Sequence, residues 1–243
     1  KPLWLGLTGG LDSRLILALA HRTDTSLTTY SFLKPFPDMP RADRRFPPLL
    51  ALAAGYDHRV IRGRGFSHSR LALFDRHTAM QCMGPDRTYF VKGYWEAIPG
   101  NVVVLPGGGF PVMQGYYNDL LPPNLPEDPG AAARVLETAL RIRSTYANSS
   151  AHRDGVREWT EWILKYPTPG IDWRNRYYME QRSGGWRAAI EQARDLTGHE
   201  GAFIANGRRI YSLLALLPPE MRRHKDFSVE MIRQAAPALL EYP

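Results

Sequence analysis

Two adjacent glycines, Gly9 and Gly10, separate an apolar run from a stretch with helical spacing. The run at residues 3–7 predicts a buried strand, and the stretch at residues 15–20 predicts a helix. A glycine pair at such a junction permits a tight turn and a close approach of the backbone to a neighbouring group. The chain is therefore predicted to begin with a strand, a glycine turn and the N-terminus of a helix.

The polar residues of this turn favour an anion as its ligand. A helix start presents N–H groups without intrahelical partners and a partial positive charge. Thr8 and Ser13 add hydroxyl groups, and Asp12 adds a carboxylate of the kind that binds Mg²⁺. A phosphate suits such a turn. The same pattern also occurs as an ordinary capped helix start without a ligand, so the residues alone leave both interpretations open.

The first half of the sequence alternates strand-like and helix-like segments. Further strands are predicted at residues 27–32, 58–61 and 101–105, and helices at residues 42–54 and 67–81. Pro47 and Pro48 are expected to interrupt the first of these two helices. Alternating strands and helices predict an α/β fold with a parallel sheet flanked by helices on both faces.

The second half is predicted to be mostly helical. A proline-rich stretch at residues 120–130 is typical of a loop, and strand signals nearly vanish after it. Helical spacing follows at residues 131–146, 156–164, 175–196, 208–217 and 227–240. The chain is therefore divided into an α/β part, residues 1–121, and a helical part, residues 122–243.

The composition of the chain limits which ligands and which cellular compartment are expected. The net charge of +7 favours anionic ligands, but the arginines are spread along the chain, so no nucleic acid is expected as a partner. No apolar run approaches the length of a membrane span, and no membrane association is expected. The single cysteine, Cys82, excludes an internal disulfide and fits a reducing compartment, so a cytoplasmic location is expected.

The segment Thr8-Gly9-Gly10-Leu11-Asp12-Ser13 resembles the Ser-Gly-Gly-x-Asp-Ser pyrophosphate loop of the PP-loop ATP pyrophosphatases. Within that superfamily, the chain is most similar to the synthetase domain of the asparagine synthetase family. A looser similarity in order and spacing covers three later segments, at residues 178–182, 206–209 and 216–220. The resemblance therefore implies a sheet of the PP-loop type, completed by the helical second half.

The same resemblance implies an ATP-dependent synthetase that adenylates a carboxylate and releases AMP and pyrophosphate as an amide forms. ATP and Mg²⁺ are the implied cofactors, and a small carboxylate and an amine or ammonia are the implied substrates. Proteins of this family commonly obtain ammonia from a glutaminase domain, which this sequence lacks. Lys1 and Pro2 precede the first strand directly, which favours a fragment of a longer protein. Either a glutaminase domain was removed, or a glutaminase subunit lies on another chain, or a free amine is the nucleophile.

The resemblance also assigns residues to the nucleotide. Asp12 is expected to bind the phosphates through Mg²⁺, while Ser31 and Phe32 are expected to contact the adenine. Phe32 equally fits as a core aromatic residue. The full set of implied nucleotide contacts is Leu7, Thr8, Gly9, Gly10, Asp12, Ser13, Ser31, Phe32, Gly107 and Gly108.

A second glycine turn, Gly107–Gly109, follows the predicted strand at residues 101–105, and there the sequence departs from the family pattern. The pattern resembles Ser-Gly-x-Gly-x-Asp-Glu, but Pro111 and Val112 stand where its two acids are expected. Gly108 stands where a catalytic Glu or Tyr is often found. Losing a carboxylate removes an oxygen ligand for Mg²⁺. This departure favours an alternative, a catalytically impaired nucleotide-binding or partner-binding module of the same fold.

Two residues are candidates for catalysis. Lys225 is the nearest lysine to the place where the family carries one that neutralises charge on the phosphate, although it equally fits as a solvated residue among Arg222, Arg223 and His224. Glu180 matches a family glutamate near the reaction centre. It is a candidate base, and a packing ion pair with Arg176 or Arg182 is the alternative.

Overall fold

The computed structural model describes residues 1–33, 41–62, 68–77, 97–107, 110, 114–141, 150–195, 198–223 and 225–242. Gly108, Pro111, Val112 and His224, which the sequence analysis singled out, lie outside these ranges.

Five parallel strands form the sheet of this protein. They are β1 (Leu3–Gly6), β2 (Thr28–Leu33), β3 (His58–Arg62), β4 (Val103–Leu105) and β5 (Glu200–Gly201). Their order across the sheet is β3-β2-β1-β4-β5, with every neighbouring pair parallel. The predicted parallel α/β architecture is confirmed. The two-residue strand β5 was not predicted, because neither Glu200 nor Gly201 is a β-branched or aromatic residue of the kind that indicates strands.

Three helices accompany the strands of the first half. They are α1 (Leu11–Arg22), α2 (Arg41–Ala53) and α3 (His68–His77). The interruption expected at Pro47 and Pro48 is wrong, since α2 continues through both prolines. Each proline removes one backbone donor from the helix. Leu50 and Ala51 on the next turn are fully buried, and this packing holds the segment helical.

The second half is predominantly helical, as predicted. Its α-helices are α4 (Pro129–Arg141), α5 (Ser150–Lys165), α6 (Trp173–Tyr177), α7 (Ala188–Asp195), α8 (Arg208–Ala215), α9 (Pro219–Arg223) and α10 (Asp226–Ala235). A π-helix, Tyr178–Arg187, joins α6 to α7, and a 3₁₀ turn, Pro237–Leu240, follows α10. The predicted loop at residues 120–130 contains no helix or strand before Pro129.

Both faces of the central strands are buried. Leu5 of β1 belongs to a core cluster that includes Ile16 of α1, and this cluster extends into the second half through Leu136 and Ile232. Successive residues of a strand point to opposite faces. The neighbouring Trp4 accordingly lies on the other face, where its ring is 5.9 Å from that of Tyr30. The α/β part and the helical part therefore share apolar packing.

Within the described ranges, no helix combines the length and the apolar character needed to cross a membrane.

Candidate phosphate-binding turn

The turn between β1 and α1 is held by its own polar side chains. The Thr8 backbone N–H donates to Ser13 Oγ over 3.0 Å, and the Gly10 N–H donates to Thr8 Oγ1 over 3.1 Å. The two hydroxyl oxygens lie 3.1 Å apart. Gly10 is the N-cap residue of α1 and provides no side-chain cap. Thr8 and Ser13 thus fix the shape of the turn at the positive end of the helix dipole.

Gly9 lies directly against the first turn of α2. A Cβ atom at Gly9 would be 2.8 Å from the Ala42 carbonyl carbon and 2.9 Å from its oxygen. The Gly9 N–H donates to Asp43 Oδ1 over 2.8 Å. A carboxylate therefore already accepts from one of the amides that the resemblance assigns to the pyrophosphate. Asp43 was not among the predicted site residues.

The second glycine turn meets the first one. A Cβ atom at Gly107 would lie 3.2 Å from Ser13 Cβ and 3.3 Å from the Ser13 nitrogen. Gln114, further along the same connection, donates from Nε2 to Asp12 Oδ1. Because β1 and β4 are neighbouring parallel strands, their carboxyl ends share one edge of the sheet. The structure thus brings together three of the residues that the resemblance assigns to the nucleotide, Asp12, Ser13 and Gly107.

A cleft of about 590 Å³ opens beside the first glycine turn. Its described lining contains three cationic residues, Arg14, Lys225 and Arg233, and no acidic one. Arg233 is paired with Glu230 on the same face of α10. The lining as a whole is Gly9, Gly10, Leu11, Arg14, Lys225, Val229, Arg233, Leu240 and Tyr242. Positive side chains around a helix N-terminus give the cleft a field that attracts anions.

Arg14 forms hydrogen bonds both to the glycine turn and to the C-terminal segment, residues 239–242. Its Nη2 donates to the Gly9 carbonyl over 2.8 Å. Its Nη1 donates to the carbonyls of Leu239 and Tyr242 over 3.1 and 2.6 Å. The residue is only 3% exposed, and burial lowers the pKa of its guanidinium. These carbonyl bonds replace the hydration that the buried cation loses.

Lys225 lines the same cleft as Gly9 and Gly10 but stands just outside α10. Its backbone is left-handed, with φ 59°, and its carbonyl accepts the Val229 N–H over 3.1 Å. Lys225 is exposed, whereas Arg222, which was expected to be solvated with it, is 2% exposed. A lysine at the mouth of a cleft can bring its ammonium to an anion held there.

Ser31 and Phe32 lie on β2, next to the strand that leads into the turn. Phe32 is 8% exposed and packs edge-on against Tyr30, with ring centroids 5.3 Å apart. This contact fits the core-aromatic interpretation of Phe32. Ser31 is also buried, and its Oγ lies 3.0 Å from His58 Nε2.

Glu180 lies on the π-helix and makes packing contacts there. Its Oε1 accepts from Arg176 Nε over 2.7 Å, and its Oε2 accepts from Trp159 Nε1 over 2.8 Å. Arg176 also stacks over the Trp162 ring at 4.3 Å. The ion pair with Arg176 that was weighed as the alternative role of Glu180 is thus present. Glu180 does not belong to the described lining of the cleft.

The sequence analysis did not assign Arg14, Asp43, Gln114 or Arg233 to the site. Arg14 carried no signal of its burial, because arginines are mostly exposed and its carbonyl partners, Leu239 and Tyr242, are far away in the sequence. Asp43 carried no sequence signal that distinguishes it from other acidic residues at the starts of helices. In the described part of the chain, no three His, Cys, Asp or Glu side chains group as a metal site would require.

Two comparisons with known proteins found no relative of this chain. No protein-family model matches the chain, and no curated protein matches it either.

Proposed function

We propose that this protein binds ATP at the Thr8–Ser13 turn and uses it to adenylate a carboxylate, as an asparagine synthetase-like PP-loop enzyme does. Pyrophosphate would leave, and an amine or ammonia would displace AMP to form an amide. The support is the sequence resemblance together with the parallel sheet and the position of the turn at a carboxyl edge of it.

The observation that carries the proposal is the placement of cationic side chains beside the turn. Arg14, Lys225 and Arg233 line the same cleft as the glycine pair at the N-terminus of α1. A triphosphate suits a helix N-terminus with such cations beside it. Lys225 is exposed, whereas Arg14 is bonded to backbone carbonyls and Arg233 is paired with Glu230. In phosphate chemistry, most of the catalytic effect comes from positioning and charge neutralisation.

Asp12 suits the magnesium ion that accompanies a nucleotide. Mg²⁺ bound with a nucleotide keeps water and phosphate oxygens as ligands and uses one or two protein carboxylates. Asp12 lies in the first turn of α1, and its carboxylate is partly exposed and oriented by Gln114. When bound, the ion would neutralise phosphate charge and polarise the bond that breaks.

The residues of the chain have separable roles in this proposal. Thr8, Gly10 and Ser13 shape the turn against which the phosphates rest. Arg14 holds the turn to the C-terminal segment, and Lys225 neutralises the charge that develops on the departing pyrophosphate. Glu180 keeps its resemblance-based assignment as a base, although its present contacts are those of a packing residue.

A second candidate function is a catalytically impaired module that binds a nucleotide or a partner. Asp43 favours it, because its carboxylate occupies the Gly9 amide and would repel a phosphate there. Pro111 and Val112, in place of two expected acids, favour it as well. Such a module would bind ATP without releasing pyrophosphate on the addition of any carboxylate.

Pyrophosphate release tests the proposal. The protein is supplied with Mg·ATP and a panel of amino acids and small diacids, with and without ammonium. We expect release with at least one carboxylate, and we expect the D12N variant to reduce it about tenfold or more, since one carboxylate ligand of the ion is lost.

Asp24 provides the matched control, because it lies just beyond the opposite end of α1 and is exposed. The D24N variant should retain wild-type rates. ATP binding without release would favour the impaired module. Absence of both binding and release, in protein shown to be folded, would overturn the proposal.

A further inference from the structure

One face of α10 lines the cleft with an apolar side chain between two cationic ones. Lys225, Val229 and Arg233 follow each other at intervals of four residues, and all three belong to the described lining. The Lys225 carbonyl accepts the Val229 N–H over 3.1 Å, so the helical spacing already holds at the first turn. Residues four apart on a helix share a face, so Val229 lies between the two cations along α10.

The apolar part of the lining continues on two other elements. Leu11 belongs to the first turn of α1, and Leu240 and Tyr242 belong to the C-terminal segment. All three are partly buried and pack against the hydrophobic core, so the core supports this surface from behind. Small-molecule sites are mostly apolar with a few polar groups and have volumes of about 300–1,000 Å³. At about 590 Å³, the cleft has the size and the lining of such a site.

The described lining of the cleft carries positive charge. It contains Arg14, Lys225 and Arg233 but no acidic side chain. Three backbone carbonyls beside the cleft accept from the Arg14 guanidinium, those of Gly9, Leu239 and Tyr242. An ammonium group that entered the cleft would therefore meet cations, together with carbonyls that are already bonded to one of them.

The carboxylates near this lining are bonded to groups of the protein. Each of three accepts a hydrogen bond: Asp12 from Gln114, Asp43 from the Gly9 N–H and Glu230 from Arg233. None of the three belongs to the described lining. The charge that a ligand meets on the described walls of the cleft is therefore that of the cations.

We propose that the cleft takes a carboxylate with an apolar body and no ammonium group, of which a straight-chain alkanoate is the simplest member. As a statement about the substrate, this inference rests on the proposed function, in which ATP adenylates a carboxylate. It narrows that carboxylate to one chemical class and disfavours α-amino acids. As a statement about the ligand of the cleft, it is tested by binding alone.

The two parts of such a ligand match the two parts of the lining. The cations attract the carboxylate, and the side chains of Leu11, Val229, Leu240 and Tyr242 remove the alkyl chain from water. Each methylene buried in this way strengthens binding about threefold to fourfold. An α-ammonium group adds no apolar surface and is repelled by the cations, which weakens binding by about tenfold or more.

Titration calorimetry on the full chain with butanoate, hexanoate and octanoate tests the apolar part. Affinity should rise about tenfold at each step of two methylenes. The charge is tested with 2-aminooctanoate, which should bind at least about tenfold more weakly than octanoate. The matched control ligand is 2-hydroxyoctanoate, which carries an uncharged substituent of similar size at the same carbon and should bind more tightly than 2-aminooctanoate.

Variants of Val229 locate the binding in the cleft. V229D places a carboxylate among the cations, so it should weaken octanoate binding about tenfold and bring the ratio of octanoate to 2-aminooctanoate affinity towards one. V229N is the matched control, because it has the same shape without the charge. It should weaken octanoate less and keep the wild-type preference. Circular dichroism establishes that each variant is folded, and the ligand series in the wild-type protein tests the inference even if V229D is not.

The outcomes separate the inference from the function beneath it. If octanoate binds as expected but no carboxylate supports pyrophosphate release, the proposed function falls and the ligand class of the cleft stands. If 2-aminooctanoate binds as tightly as octanoate, if chain length has no effect, or if no alkanoate binds, the inference is wrong. The proposed function is then decided by release with other carboxylates. Octanoate binding that V229D leaves unchanged would lie outside the cleft and would also overturn the inference.

Discussion

Single atoms decide which substitutions the first glycine turn tolerates. The G9A substitution would place a methyl group 2.8 Å from the Ala42 carbonyl carbon, which belongs to the backbone of α2 and cannot rotate away. We expect G9A to lower the free energy of unfolding by about 1–3 kcal/mol, the usual cost of overpacking. Urea denaturation measures this difference.

Gly10 is the internal control for that experiment. Its φ is −77°, which any residue adopts, and a Cβ there would meet only Thr8 Oγ1, at 3.3 Å. The G10A variant should therefore lose much less stability than G9A. Equal losses would show that the close contact with α2 is absent in solution.

Lys225 is the residue that best separates phosphate binding from phosphate chemistry. We expect K225A to lower kcat for pyrophosphate release about tenfold or more, because its ammonium neutralises charge that develops in the transition state. The KM for ATP should change little. Lys165, an exposed lysine at the end of α5, provides the control variant K165A. Unchanged turnover in K225A would show that Lys225 is a solvent-exposed residue without a role in catalysis.

At the scale of elements, α2 influences the turn through Asp43. The D43N variant keeps an oxygen that can accept the Gly9 N–H but removes a negative charge 2.8 Å from that nitrogen. We expect affinity for inorganic pyrophosphate to rise about fivefold, since a like charge is removed from the site. Titration calorimetry measures the change, with D24N as a charge-matched control. A fall in affinity would mean that Asp43 supports the anion instead of opposing it.

The β2–β3 pair makes stability depend on pH through His58. Burial lowers the pKa of His58 below that of the unfolded chain, about 6.5. As the pH falls through this range, the unfolded state takes up a proton that the folded state resists, so stability falls. Because the ring is partly exposed, we expect the loss between pH 7 and pH 5.5 to be less than about 1 kcal/mol, and the H58Q variant should abolish it.

The exposed His77, at the end of α3, provides the comparison. The H77Q variant should show the same fall as the wild-type protein when urea unfolding is measured at both pH values. If H58Q and the wild-type protein lose equal stability, His58 does not resist protonation in the folded state.

Most helices and strands follow from local pattern, and the exceptions have local causes. Strands β1 to β4 and helices α1 and α3 were predicted from the spacing of apolar residues, a pattern that a short segment of sequence contains completely. The continuity of α2 through Pro47 and Pro48 depends on burial of the following turn, which only the folded structure reveals. The π-helix at Tyr178–Arg187 is likewise invisible to a pattern that assumes a regular helical period.

At the scale of the molecule, the candidate site depends on contacts between the two ends of the chain. Arg14 bonds to carbonyls of Leu239 and Tyr242, and Tyr242 packs against Phe46 of α2 with ring centroids 6.4 Å apart. The sequence predicted the turn because its residues are consecutive. It could not predict that Leu240 and Tyr242 line the cleft, because no local sequence pattern pairs Arg14 with residues more than two hundred positions later.

The most direct test of this account is a crystal structure of the protein with Mg²⁺ and a non-hydrolysable ATP analogue. We predict that the triphosphate lies against Thr8, Gly10 and Ser13, with Mg²⁺ on Asp12 and the Lys225 ammonium beside the phosphates. If the analogue is bound elsewhere while the Gly9–Asp43 bond stays closed over an empty turn, the central claim is contradicted.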